Sequence, residues 1–141
     1  MKALITAAAL ALTAVPAVAQ DAATDITFTF TVGQPTGQVM VALYDSAAAY
    51  GGSGAPVRVA RVEATGSVIS ATFDDLPAGD YAMKAFHDVD GDGRMATNPF
   101  GMPTEPFAFS NNAVGNMGPA GWDRAHFAAS GAVAQTINLA Q

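Results

Sequence analysis

The residues best equipped for chemistry lie together, in Asp88-Val-Asp-Gly-Asp-Gly93 with His87 immediately before them. Three carboxylates at alternate positions followed by a glycine match the first half of a calcium-binding loop. In such a loop a tightly curled backbone aims every second side chain at one centre. With Asp88 in position one, Asp90 and Asp92 take positions three and five, Gly93 makes the sharp turn, and the Arg94 carbonyl is the next oxygen. An all-oxygen set suits Ca²⁺ better than zinc. The match then stops: position twelve is Pro99, which cannot be the bidentate acid, and neither flank is an amphipathic helix. This is not an EF-hand. Glu105 is the candidate for the missing ligand if the chain folds back, with Thr97, Asn98 and Asp123 behind it. Lacking a bidentate acid, such a site would bind weakly, with a Kd on the order of 10⁻⁴–10⁻³ M. The competing reading is a solvated turn in which Asp and Gly serve only the backbone geometry.

A second candidate follows directly. Asn98 to Asn112 interleaves Phe100, Met102, Phe107 and Phe109 with turn formers, and Trp122 comes soon after. Long loops without regular structure are often functional. One reading is a binding surface over residues 98–122 for an envelope glycan or protein, with Asn111 and Asn112 as hydrogen-bonding amides. The other is a flap whose Phe and Met side chains close one end of the fold. His87 and His126, with Asp88 or Glu105, could also form a zinc site, and His87 with Glu105 could work as a catalytic pair. Neither histidine has the local spacing of a metal motif, no Ser lies in a G-x-S-x-G context, and the chain has no cysteine. The expectation is therefore a protein that is not an enzyme.

These residues need a frame, and the rest of the chain predicts one made of strands. Ile26, Phe28, Phe30 and Val32 alternate with threonines, and Val39, Val41 and Leu43 alternate with Met40, Ala42 and Tyr44. Further strands are expected over 57–62, 68–73, 81–87 and 133–139, with a helical turn near Ser46–Tyr50 and a short element over 122–127. Asp74-Asp-Leu-Pro-Ala-Gly79 reads as a chain reversal, with Pro77 presetting φ and Gly79 able to take a positive φ. Several short strands with frequent Gly/Pro punctuation predict an all-β fold. The specific expectation is a single antiparallel Greek-key β-sandwich of about seven strands, transthyretin- or immunoglobulin-like, with one long irregular loop over 88–121.

Residues 1–19 read as a signal peptide: Lys2, a short apolar run, then Ala17-Val18-Ala19 as the cleavage pattern. Cleavage near Ala19 leaves one domain over 20–141, extracytoplasmic, whether periplasmic or secreted, with no membrane span. Without Lys2, five basic residues face twelve acidic ones, a formal charge of −7. The isolated cations form no stripe for nucleic acid. A partner is expected in the envelope or outside the cell.

Taken together, Leu76-Pro-Ala-Gly-Asp-Tyr81, Lys84-Ala-Phe-His-Asp88, the Asp/Gly loop, Phe100-Gly-Met-Pro-Thr-Glu-Pro106 and Phe109-Ser-Asn-Asn112 resemble a family of exported bacterial proteins, domain of unknown function 2141. The resemblance covers nearly the whole chain after residue 19 and is strongest from Leu76 to about Phe127. It implies one extracytoplasmic domain with no assigned activity. The Leu-Pro-Ala-Gly-Asp-Tyr turn also looks like those of transthyretin-like and carboxypeptidase-regulatory-like sandwiches, where an Asp-rich loop follows a similar strand pair. No catalytic residue of the transthyretin-like hydrolases has a counterpart here.

Overall fold

A computed structural model describes residues 22–140; residues 1–19, read above as a signal peptide, lie outside the described residues. Eight strands form two sheets. β1 (Thr24–Val32) lies between β4 (Val68–Leu76) and β8 (Ala132–Leu139) in the first. The second sheet runs β3 (Arg58–Glu63), β2 (Gln38–Tyr44), β5 (Gly79–Asp88) and β6 (Phe107–Phe109), with β7 (Phe127–Ala129) also paired to β5. The alternation read in β1 drives the packing: Ile26, Phe28 and Phe30 are fully buried between the sheets, while Thr27 and Thr29 bond Thr72 and Ser70 on the outer face. Val39, Val41, Leu43, Met83, Ile137 and Leu139 complete this core from the other strands. A second, smaller cluster gathers Tyr50, Ala82, Phe109, Ala120 and Ala125 beneath the helical turn α1 (Trp122–Ala125).

The sandwich is as expected, with three local differences. β1 and β8 run parallel, from Asp25↔Ala132 to Val32↔Leu139, so the sheets are not purely antiparallel. A parallel pair needs a long connection, and here the whole intervening chain supplies it. The segment 88–121 is not irregular throughout, because β6 pairs with β5 and a tight turn over Ser110–Asn112 follows it. Lastly, the reversal after β4 does not use a positive φ at Gly79. The left-handed residue is Asp75 (φ 57°), in a bulge where the register shifts opposite Asp25 and the Asp75 N–H is held by Asp25 Oδ1 at 3.1 Å. Pro77 and Ala78 then make the turn, and the Tyr81 hydroxyl closes it on the Pro77 carbonyl at 2.6 Å.

Candidate functional site

The acidic loop begins where β5 ends. Gln38 and Asp88 are cross-strand partners at the junction of β2 and β5, and both side chains are buried. Asp88 Oδ2 accepts from Gln38 Nε2 at 2.8 Å and from the Gly93 N–H at 2.9 Å, while Oδ1 accepts from the Asp92 N–H at 3.1 Å. The chain must approach closely for this. Gly37 has φ 69°, and a Cβ placed there would lie 2.0 Å from the Asp88 carbonyl oxygen, so only glycine fits. Glu105 folds back from the far side of the loop. Its Oε1 takes the Val89 N–H and its Oε2 the Ala96 N–H, each at 2.9 Å.

Among the described residues, oxygens of Asp88, Asp90 and Glu105 lie within 4.8 Å of one another, forming a metal-sized cluster with no histidine in it. Asp92 stands outside this group, its Oδ1 turned onto the Arg94 N–H at 2.8 Å. Asn98 Oδ1 is occupied by the N–H groups of Phe100 and Met102, and Asp123 sits in α1. The structure thus brings together three of the sequence candidates, Asp88, Asp90 and Glu105, and sends the Asp92 carboxylate elsewhere. Two opposite shifts mark the cluster. Burial pushes the Asp88 carboxyl up, but the bonds from Gln38 and Gly93 outweigh it and hold its pKa below the usual 3.8. At Asp90 the Asp92 N–H pulls down. Desolvation, the hydrogen bond with the Asp88 carboxyl and the charges of Asp92 and Glu105 win, and its pKa lies above 3.8.

The histidines are employed structurally. His87 is buried on the core side, and its Nε2 lies 2.6 Å from the Thr36 carbonyl, which can only accept, so Nε2 carries the proton. His126 stacks on Trp122 at 5.4 Å and donates Nδ1–H to the Trp122 carbonyl. Neither joins the carboxylate cluster.

The aromatic segment divides. Phe109 is buried, and Trp122 packs edge-on to Tyr50 at 5.9 Å, whereas Phe100 is 90% exposed and Phe107 41%. The asparagine amides are turned inward on the chain. Asn111 Nδ2 reaches the carbonyls of Arg124, Ala125 and His126, and Asn112 bridges the Thr136 carbonyl and the Asn138 N–H of β8. Ser110, fully buried, accepts from the Met83 N–H and donates to the Ala125 carbonyl.

Sequence reasoning did not single out a groove of about 1000 Å³ between the outer face of β2 and β5 and the flap. Its floor includes Met40, Ala42 and Phe86, and its flap wall Met95, Met102 and Met117. The signal was present, since the second faces of β2 and β5 are as apolar as their core faces, apart from Lys84. Lys84 Nζ donates to the Tyr50 carbonyl at 2.6 Å and lies 4.3 and 5.2 Å from the ring centres of Tyr50 and Tyr44. Burial lowers its pKa, and burial with Tyr44 nearby raises that of the Tyr50 hydroxyl to about 12.

Comparison with known proteins gives one match: the model of a family described as "Uncharacterized protein conserved in bacteria (DUF2141)" fits residues 31–137. No curated protein and no solved structure matches the chain.

Proposed function

We propose, from the premise that this chain belongs to the DUF2141 family, that it is an exported, non-enzymatic β-sandwich module whose flap is pinned by a weakly bound Ca²⁺ ion. The observation that carries this reading is the convergence of Asp88, Asp90 and Glu105 within 4.8 Å. Oxygen ligands alone favour a hard divalent cation. A carboxylate has about four lone-pair sites, and Glu105 spends two on backbone N–H groups, so it keeps capacity for an ion. The raised pKa of Asp90 is the expected response of a carboxylate crowded by others, and a cation would reverse it. Export rests on the signal-like residues 1–19, and the absence of catalytic function on the structural employment of both histidines.

The test is thermal melting of the mature protein in millimolar calcium and in chelator, with calorimetry alongside. A higher Tm in calcium, weakened by Asp90→Asn, is the expected result. An unchanged Tm together with no heat of binding returns the loop to a self-satisfied turn.

A second reading is favoured by the exposure of Phe100 and Phe107: a module that engages an envelope glycan or protein through residues 98–122. Here Phe107→Ala is the informative variant on a glycan array, because Phe109→Ala would damage the smaller core. Binding that survives Phe107→Ala and Phe100→Ala would remove this reading.

A further inference from the structure

The outer face of an antiparallel sheet normally meets water with polar side chains. Here the cross-strand register produces instead the rows Val59–Ala42–Lys84–Phe109 and Arg61–Met40–Phe86–Phe107. The flap crosses this face without sealing it. Met102 remains 63% exposed, and Met117 fully so. The space left is about 1000 Å³, at the upper end of small-molecule sites.

Three properties of the lining narrow what would fill it. Of the methionines in the described residues, Met83 alone belongs to the core; Met40, Met95, Met102 and Met117 all line the groove. Unbranched thioethers adapt to a flexible apolar chain, where a rigid ring system would call for a fixed shape. Lys84 and Tyr44 supply the only polar side chains of the lining, so the many hydroxyls of a sugar would find almost no partners. Finally, Lys84 is the one charged group. Of its three ammonium protons one is used by the Tyr50 carbonyl, and among the described residues none is paired with a carboxylate. A single cation in an apolar trough is complementary to a single anion on an apolar tail.

We propose that this groove binds a free single-chain amphiphile with an anionic head, of the long-chain fatty-acid type, with its carboxylate at Lys84 and its tail between the floor and the methionine-lined flap wall, toward Met40. The floor from Tyr44 to Met40 spans four residues of β2, about 13 Å, shorter than a fully extended long-chain tail, so the tail bends within the groove's volume of about 1000 Å³. Burial lowers the Lys84 pKa, and a bound carboxylate would offset that desolvation because a nearby opposite charge favours the ammonium form. The inference does not depend on the cation reading, since Asp88, Asp90 and Glu105 take no part in the lining.

The mature protein is titrated with the fluorescent fatty acid cis-parinaric acid, once in chelator and once in calcium, and the probe is displaced with palmitate or with hexadecanol. Saturable one-to-one binding in both buffers is expected, with palmitate preferred over hexadecanol by about tenfold or more. Lys84→Met should abolish that preference. Val59→Glu, at a position 71% exposed and therefore safe for folding, should weaken palmitate several-fold and leave hexadecanol within about twofold. Should Lys84→Met not fold, Val59→Glu decides. The proposal is overturned by any of three results: no saturable binding, equal affinity for palmitate and hexadecanol, or retention only by phosphatidylglycerol vesicles. Because calcium and chelator are separate arms, such a failure leaves the melting test of the cation reading intact.

Discussion

Where the flap leaves β5, its backbone N–H groups are collected by the carboxylates of Asp88 and Glu105. Where it returns past β6, its ties are the neutral side chains of Ser110, Asn111 and Asn112. Both ends satisfy backbone groups that would otherwise stand unpaired, which is the general condition for ordering a long connection. They differ in what can undo them. The upstream end consists of acceptors that lose their function on protonation and can exchange N–H partners for a cation. The downstream end uses amides and a hydroxyl that do not titrate in the accessible range. Sensitivity to acid and to divalent ions should therefore be confined to one end of a single segment, with the groove wall held between them.

The largest expected effect breaks the upstream end. Asp88→Ala leaves the Gln38 amide and the Gly93 N–H without their acceptor, while the Asp92 N–H keeps only Asp90 Oδ1, and should cost about 3 kcal/mol or more. Urea unfolding measures the loss, and limited proteolysis should report new cleavage within residues 89–105. Cleavage only after residue 110 would contradict the division. Ser110→Ala, at the buried centre of the other end, removes the partner of the Met83 N–H and should cost about 2 kcal/mol. That loss should be the same in urea titrations at pH 7 and pH 4.

Asn112→Ala, in a more exposed setting, should cost about 1 kcal/mol and be equally indifferent to pH. The pH dependence itself sharpens the contrast. Asp88 has a folded pKa below 3.8, so its contribution is complete above that value and fades as pH falls through the depressed one. Asp90 has the opposite sign: its folded pKa is raised, so its favourable state is the protonated one and is lost as pH rises through the raised value. Asp90→Asn should consequently leave stability in chelator unchanged or slightly higher, the smallest of these effects, while reducing any rise in Tm produced by calcium. A Tm in chelator that drops sharply would mean that Asp90 supports the turn rather than crowding it.

How much of this was legible depends on residue pattern. β1 announces itself by strict alternation of apolar residues with threonines over seven positions, β2 and β5 by runs of strand-forming residues that are apolar on both faces, and the observed bounds of all three lie close to the expected ones. The three-residue strands β6 and β7 are too short to show a period and are fixed by their partner β5. The parallel pairing of β1 with β8 joins opposite ends of the chain, so no local window contains it. In the loop, the spacing of Asp88, Asp90 and Asp92 offered three carboxylates to one centre, but spacing alone could not say that Asp92 would serve the Arg94 N–H. Asn111 and Asn112 looked like amides offered to a ligand. Their φ values of 61° and 49° show why they are asparagines: each holds a left-handed backbone while its side chain serves the chain itself. The groove was visible in Met40, Ala42 and Phe86, whose apolar character on a second face had no core to explain it.

Asn112 has one more consequence. β8 is the outermost strand of its sheet, and its outward N–H and C=O groups form a template onto which a strand of another molecule could add. By engaging the Thr136 carbonyl and the Asn138 N–H together, the Asn112 amide occupies the places such a strand would take. One side chain thus stands in for a neighbouring strand. Shortening it would open this border to self-association at high concentration, even where the folded state of a single molecule is barely disturbed.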